Sequence, residues 1–516
     1  MIERVEVMRG GGSALFGSSA IAGTINIITK EPLRNSGQLS HTITSLGGSS
    51  SFDNNTSLNA SLVTDDHRAG LYIFGQNRYR SGYDYDGDGF TELPKLKNQT
   101  VGFRSYLKTS TYSKLTFEYH HMQEFRRGGD MLNRPPHEAH IAEQLQHSID
   151  GGSLKFDYFS PDEKNRLSVF ASAANTDRDS YYGPGNDPLK AYGKTTDLTA
   201  MGGAQYVHTF DKCFFMPSDL TAGLEYNRDR LKDNMWGYNR HTDQTVNIYS
   251  AFLQNEWKND RWGILIGGRL DKHNMVDNVI FSPRANLRFN PTQNINLRLS
   301  YSSGFRAPQA FDEDMHIENV GGTVAMIERA KDLKEEKSQS FSVSADMYHR
   351  FGAFQTNLLI EGFYTRLTDV FVLGKPYDRG DGILVKTRSN GPGAKVMGLT
   401  LEGKVAYLSI LQIQAGLTLQ RSRYDEPHKW HDDAPAEKKI FRTPDTYGYF
   451  TATCTPIKPL SIALSGTYTG RMLVQRMDIT AENAELGKMP ERKAEAIRTP
   501  RFFDLGVKLA YDFKLY

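Results

Sequence analysis

Apolar and polar residues alternate along much of this chain. In Leu297-Arg298-Leu299-Ser300-Tyr301 the apolar residues share one parity, and they do so again from Phe341 to Tyr348 and from Val507 to Leu515. Period-two alternation places successive side chains on opposite faces of a β-strand. One face here is apolar; the other carries Ser, Thr, Asp, Lys and Arg. The connections alternate as well. Thr64 to His67, Ser160 to Asn165 and Asn290 to Asn294 are tight turns, whereas Asp130 to His147, Gln309 to Lys337, His428 to Pro444 and Ile479 to Pro500 are long and polar. Short turns at one rim and long loops at the other are what a transmembrane barrel presents. From Ser36 onward the pattern predicts about 20 strands, within the range of such barrels. The expected class is therefore all-β, an antiparallel β-barrel with lipid outside and water within. A soluble sandwich has no reason to keep the asymmetry of its loops. A propeller needs a repeat of fixed period, which this sequence does not show.

Composition changes this picture little. Hydrophobic residues make up 38% and mean hydropathy is -0.54. No run reaches the ~18 apolar residues of a helical span, but a barrel strand needs only every other residue apolar. The 26 Tyr and 28 Phe suit aromatic girdles at two membrane surfaces. The formal charge of +2 gives no basic excess for nucleic acid. Cys213 and Cys454 stand far apart and are expected to be unpaired thiols. No Ser-His-Asp order and no catalytic carboxylate pair emerges, so no enzyme is expected.

The first thirty residues carry a longer pattern. Ile2 to Arg9 reads as a strand, glycines at 10, 11, 12, 17 and 23 permit tight turns, and Thr24 to Thr29 reads as a second strand. The run from Ile2-Glu3-Arg4-Val5-Glu6-Val7-Met8-Arg9-Gly10 through Ser13-Ala14-Leu15-Phe16-Gly17-Ser18 to Gly23-Thr24-Ile25-Asn26-Ile27-Ile28-Thr29-Lys30 closely resembles the end of the plug domain of TonB-dependent outer-membrane receptors. Gly304-Phe305-Arg306-Ala307-Pro308 resembles that family's FRAP motif at the outer end of a strand. Leu333-Lys334-Glu335-Glu336-Lys337-Ser338 resembles its NPxLKPEKS segment, with Ala330-Lys331-Asp332 in place of the Asn-Pro. Gly398 to Gly403 resembles a later strand that carries Glu two residues after the glycine; here Thr400 stands there, with Glu402 on the same face.

The resemblance implies a 22-strand barrel closed by an N-terminal plug and energised by periplasmic TonB. It implies a monomeric barrel among the lipids of the outer membrane of a Gram-negative bacterium. Its cargo would be a small metal chelate, foremost a ferric siderophore, with cobalamin or haem as alternatives. A passive pore or adhesin barrel is the rival class, and the plug pattern argues against it. Residues 1–32 are then the end of the plug and 33–516 the barrel. Most of the plug, the TonB box and the signal peptide are expected to precede Met1. Tyr516 breaks the alternation set by Tyr511, Phe513 and Leu515, so one hairpin is expected to be missing at the other end, leaving a gap in the wall. Plug arginines of the family meet barrel glutamates, which makes Arg9 with Glu336 and Glu402 the expected plug–barrel lock. By motif position, Phe305, Arg306 and His316 are the expected ligand-binding residues.

One further element is read from the residues alone. Asp84, Asp86, Asp88 and Glu92 alternate around Gly87 and Gly89, as the first part of a calcium loop does. Lys95 occupies the place of the bidentate Glu, which excludes an EF-hand. No cofactor is required by this reading, and calcium in this outer loop is the one metal expected. Histidines also gather at 137, 140 and 147 and at 428 and 431, as loop histidines commonly do.

Overall fold

A computed structural model describes every residue except 1, 10, 11, 19, 22, 185–190, 316, 317, 321, 322, 382, 432, 433, 480–491 and 514–516. The wall consists of twenty long strands: Ser36–Ser45, Phe52–Val63, Ala69–Arg80, Lys95–Ser110, Ser113–Gly129, Ile141–Phe159, Asn165–Pro184, Tyr192–Cys213, Met216–Met235, Arg240–Lys258, Trp262–His273, Ile280–Thr292, Ile295–Arg306, Glu336–Phe351, Phe354–Thr368, Ala394–Tyr407, Leu411–His428, Thr446–Ile457, Leu460–Thr469 and Phe502–Tyr511. Each pairs antiparallel with its neighbours in the chain, and a three-residue strand, Glu437–Lys439, joins the outer end of the ladder. The strand count matches the reading from alternation. Several strands run well past the ~9–11 residues that cross a bilayer, up to 22 in Tyr192–Cys213, so the wall projects beyond the lipid.

The order of strands is cyclic, with Phe502–Tyr511 beside Ser36–Ser45. This corrects the expected break in the wall: strand number sets a barrel's diameter, so a ring can close on twenty strands. The seam nevertheless keeps an edge-like exposure. All ten residues of Ser36–Ser45 and nine of ten in Phe502–Tyr511 are exposed. The ring is thus closed in order while its seam buries almost no side-chain surface.

The inner rim is held by short turns with a left-handed residue at His67, Glu163, Phe214, Gly352 or Leu408. Asp66 accepts the Arg68 N–H at 3.0 Å and the Thr64 hydroxyl at 2.6 Å. That hydroxyl, followed by the backbone N–H, holds its carboxyl below the usual range. Just inside this rim the outward face carries aromatic pairs: Phe215 on Trp257, Trp262 on Phe289 at 4.3 Å and Phe354 on Tyr407. Tyr226 on Tyr249 and Tyr301 on Phe341, both at 4.9 Å, lie higher on the same face. Between the two levels the exposed residues are aliphatic, such as Leu358, Leu399, Leu401 and Ile413. An apolar band between two aromatic levels is the outer surface of a membrane barrel.

The outer connections are not loose. Thr323–Arg329 and Leu384–Asn390, from two different loops, pair in parallel and are extended by Glu318–Val320 and Phe371–Asp378 into a four-stranded sheet. Met326 of this sheet and Ile383, just before its strand Leu384–Asn390, pack with Tyr181, Tyr182, Met235 and Tyr238. The stretch Asp130 to His147, expected to be loop throughout, becomes strand from Ile141. Its alternation is masked by polar residues on both faces, because that part of the wall stands above the lipid.

Leu401 lies on the outward face midway between the two aromatic levels. Leu401→Arg is expected to cost about 2–4 kcal/mol in lipid, the usual penalty for Arg at the bilayer midplane. Gln38→Arg, facing the lumen, should change stability by no more than about 0.5 kcal/mol. Equilibrium unfolding in liposomes compares the two, and equal costs would invalidate the assignment of faces.

Candidate functional site

Ile2–Arg9 and Gly23–Thr29 form a separate two-stranded ribbon, and the segment between them docks on the inner wall. Ser13 opens a single helical turn, Ser13–Phe16, and is fully buried. Its hydroxyl accepts the Phe305 N–H at 3.1 Å. The Ser338 hydroxyl donates to the Ile21 carbonyl at 3.0 Å. Gly304 lies so close that a Cβ there would stand 2.7 Å from the Ala20 carbonyl oxygen. Glycine and serine are what this seat demands, because backbone meets backbone.

Gly17 ends the turn at φ 74° and ψ -150°, a region almost reserved for glycine. A Cβ there would meet the Arg269 guanidinium at 3.2 Å. Arg269 is itself buried, with Nε donating to Asp271 at 2.8 Å and Nη1 2.6 Å from Glu225. Ser250 donates to the same Asp271 oxygen at 2.6 Å. A buried charge without partners is expensive, and two carboxylates supply them here. Below, Arg104 binds the Thr29 hydroxyl and Glu118, and Lys114 reaches Glu31 at 3.1 Å.

The expected lock residues fall as follows. The Arg9 backbone pairs with Gly23, and its side chain lies outside the described residues. Glu336 is buried, lies opposite Arg306 in the ladder, and lines a lumenal cavity of about 530 Å³ together with Glu402 and Ile21 of the inner segment. Glu361 lines it too, a third carboxylate that motif matching missed. The alternation of Leu359-Ile360-Glu361-Gly362-Phe363 could have found it, since an acid on the wet face opposite Thr400 is unusual company. A second cavity of about 420 Å³ joins Glu361 and Glu402 to Val7, Met8, Gly12 and Ala14. The three carboxylates therefore face the inner segment.

Of the expected ligand contacts, Phe305 requires correction. It is fully buried and packs with Val276, Ile280 and Ala307, so its ring is part of the core and offers no face to a ligand. Arg306 stacks over Phe311 at 3.9 Å and near Phe371. His316 lies outside the described residues.

The outer end holds groups no motif announced. Arg240 donates to Asp233 at 2.8 Å and to the Met315 carbonyl at 2.9 Å. Arg388 pairs with Asp314 at 2.8 Å, both buried. Arg178 lies 3.8 Å from Asp233 and donates to Thr195. Arg329 donates to Gln244 at 2.7 Å and to the Pro308 carbonyl. These guanidiniums tie the long loops to the wall and form a roof over the lumen. The signal in the sequence was faint: isolated arginines in polar loops look solvated.

In the acidic loop, Asp84, Asp86, Asp88 and Glu92 each bring a carboxylate oxygen within 4.8 Å of the others. The loop also uses them itself. Asp84 accepts the Gly87 and Gly89 N–H groups, Asp86 that of Asp88, Asp88 that of Phe90 and Glu92 that of Tyr85. Cys213 and Cys454 are free thiols.

A cyclic antiparallel wall with an apolar waist and a docked inner segment defines an outer-membrane barrel receptor. Residues 23–516 match the family model described as TonB dependent receptor-like, beta-barrel, and the chain belongs to that family. It is a family of transport receptors of the bacterial outer membrane, dependent on TonB as its name states. Among curated proteins, the chain is 26% identical over 322 residues to an iron-regulated outer membrane virulence protein of Vibrio cholerae serotype O1, covering 60% of this chain. The match spans 45% of that relative's length. Among solved structures, the siderophore receptor PirA from Acinetobacter baumannii shares the fold at TM-score 0.78 and 16% identity, covering 99% of this chain and 79% of its own. A ferric enterobactin receptor (PfeA) variant from Pseudomonas aeruginosa does so at TM-score 0.78 and 16% identity, covering 99% and 78%.

Two outcomes are expected at this site. Gly17→Ala should unseat the inner segment by about 1–3 kcal/mol, the range for strained left-handed backbone. Limited proteolysis of residues 10–22 in the folded barrel reads this, and unchanged cleavage would remove Gly17 from the seat. For the acidic loop, bound calcium should give a calorimetric signal that Asp86→Ala abolishes. A silent titration would leave the four carboxylates as caps of their own loop.

Proposed function

We propose that this chain is the barrel portion of a receptor that imports a ferric siderophore across the outer membrane. The observation that carries the reading is the roof: the buried guanidiniums of Arg178 and Arg388 and the half-buried ones of Arg240 and Arg329, held over a lumen that already contains a seated inner segment. Siderophore chelates of iron commonly carry negative oxygen donors, and arginine binds oxyanions through its planar fork. The names of the relatives support the same cargo class. A passive pore has no use for the segment seated between Ser13 and Ile21. Haem is an alternative that turns on His316, which lies outside the described residues. Cobalamin remains the runner-up, resting on the acidic loop alone.

The lock belongs to the same reading. Arg9 leaves the ribbon next to a cavity faced by Glu336, Glu361 and Glu402. Arg9 pairing with Glu336 and Glu402 would hold the plug until TonB pulls. An exposed ion pair contributes about 0–1 kcal/mol, whereas removing one partner of a buried pair costs about 3–5. A contact between these limits is firm at rest and breakable under load.

A strain lacking the full-length receptor should lose uptake of one radiolabelled ferric siderophore and regain it on complementation. Arg329→Ala should weaken that uptake about tenfold or more, as loss of a charge-assisted contact to ligand does. Arg9→Ala and Glu336→Ala should instead admit large antibiotics. Unchanged uptake on siderophores, with loss on cobalamin, would move the receptor to the other cargo; unchanged antibiotic entry would remove the lock.

A further inference from the structure

The outward face of the wall between Ile295–Arg306 and Leu411–His428 is layered row by row. Leu299, Val343, Gly362, Leu399 and Leu419 lie opposite one another across five strands. Two residues nearer the outer rim, the facing residues are Tyr301, Phe341, Tyr364, Met397 and Arg421. Two residues further come Gln339, Arg366, Lys395, Arg423 and Lys439. Four cations thus stand side by side in one row, with a fifth, Arg421, directly below.

Like charges directly opposite each other destabilise paired strands. The protein relieves only part of this cost. Asp425 pairs with Arg366 at 2.6 Å and lies 3.9 Å from Lys395, and Asp445 pairs with Lys439 at 2.7 Å. Arg421 and Arg423 are exposed, and among the described residues their side chains have no ion pair or hydrogen bond. Immediately below them the same face opens into a groove of about 730 Å³, lined by Phe341, Val343, Tyr364, Met397 and Leu399, with Arg421 at its edge. Gly362 leaves its floor without a side chain, since a Cβ there would stand 3.6 Å from Val343 with room to spare.

We propose that this patch binds one lipid with a phosphorylated headgroup. Its acyl chain lies in the groove over Gly362, and its phosphate oxygens sit between Arg421 and Arg423 with Lys395 alongside. The apolar groove continues without a step into a cationic row, and that continuity selects a lipid over a soluble anion. Guanidinium forks suit phosphate, and each basic residue near a charged membrane surface contributes roughly 1 kcal/mol, about fivefold in affinity. The site rests on the membrane orientation of the wall and is independent of which chelate is imported.

The test uses the full chain in phosphocholine detergent and native mass spectrometry. Diphosphoryl lipid A, dioleoylphosphatidylcholine and pyrophosphate are titrated separately. One diphosphoryl lipid A should be retained, with phosphatidylcholine and pyrophosphate at least about tenfold weaker. Arg421→Gln with Arg423→Gln should weaken retention roughly thirtyfold. Gly362→Leu, which fills the groove and leaves every cation, should weaken it as well and keeps the test decisive if the double variant does not fold. Arg68→Gln at the opposite rim, a control for net charge, should leave it unchanged. Retention that survives both variants, or that pyrophosphate matches, overturns the site as a lipid site.

Discussion

Within hydrocarbon no backbone N–H or C=O can be left to water, and a spanning β-structure must pair each one with a neighbouring strand. The rest of this molecule follows from that requirement. It explains why twenty strands pair with their chain neighbours in long, nearly unbroken registers. It explains why the alternation is clearest in the strands that border the apolar waist and fades above it. It also locates the least supported part of the wall, the seam between Ser36–Ser45 and Phe502–Tyr511, where side-chain burial does not reinforce the order of strands.

A ring this wide encloses more space than its inward side chains can fill. Water could fill it; here a segment of the chain occupies part of it, and does so without a hydrophobic core because the inner face is wet. The seat at Ser13–Ile21 solves this with backbone contacts. Gly304 and Gly17 give up side chains so that main chain can approach main chain and guanidinium, and two serines supply hydrogen bonds in each direction. The charge buried there, Arg269, is balanced within the wall by Glu225 and Asp271, so the seated segment meets a compensated surface. That arrangement permits docking and undocking without stranding a charge.

The fold was legible because period two survives in sequences of many compositions. Strand number, the sidedness of the turns and the inner segment could all be read from Leu297–Tyr301, the Asp-rich turns and the glycines before Thr24. The site was legible only in part. Glu336 and Glu402 were found through motif position, and Glu361 was missed because no motif covers it, although its parity placed it on the lumenal face. Phe305 was read as a ligand contact because motif position says where a residue sits along a strand, not whether its ring is covered; Val276 and Ile280 come from a loop and strand that sequence distance hides. The roof was invisible for a related reason. Arg388 and Asp314 are 74 residues apart, and Arg388 stands on a strand that two different loops build by pairing in parallel.

The roof also constrains how a cargo could enter. Buried arginine–carboxylate pairs add little net stability, because desolvation offsets most of their attraction. Breaking one without replacement is costly, since it strands a charge. An anionic ligand changes that balance. It can take the place of Asp233 or Asp314 beside Arg240 or Arg388, so the loops part while each guanidinium keeps an anionic partner. A neutral ligand of the same size gains no such exchange and must bear the cost of the orphaned arginine. On the proposed reading, a preference for anionic cargo would follow from these arginine–carboxylate pairs, before any contact specific to one chelate is considered. The inner seat is built differently: at Ser13 and Ile21 it rests on serine hydroxyls and glycine backbone, so an anionic ligand finds no ion pair to exchange at those two contacts.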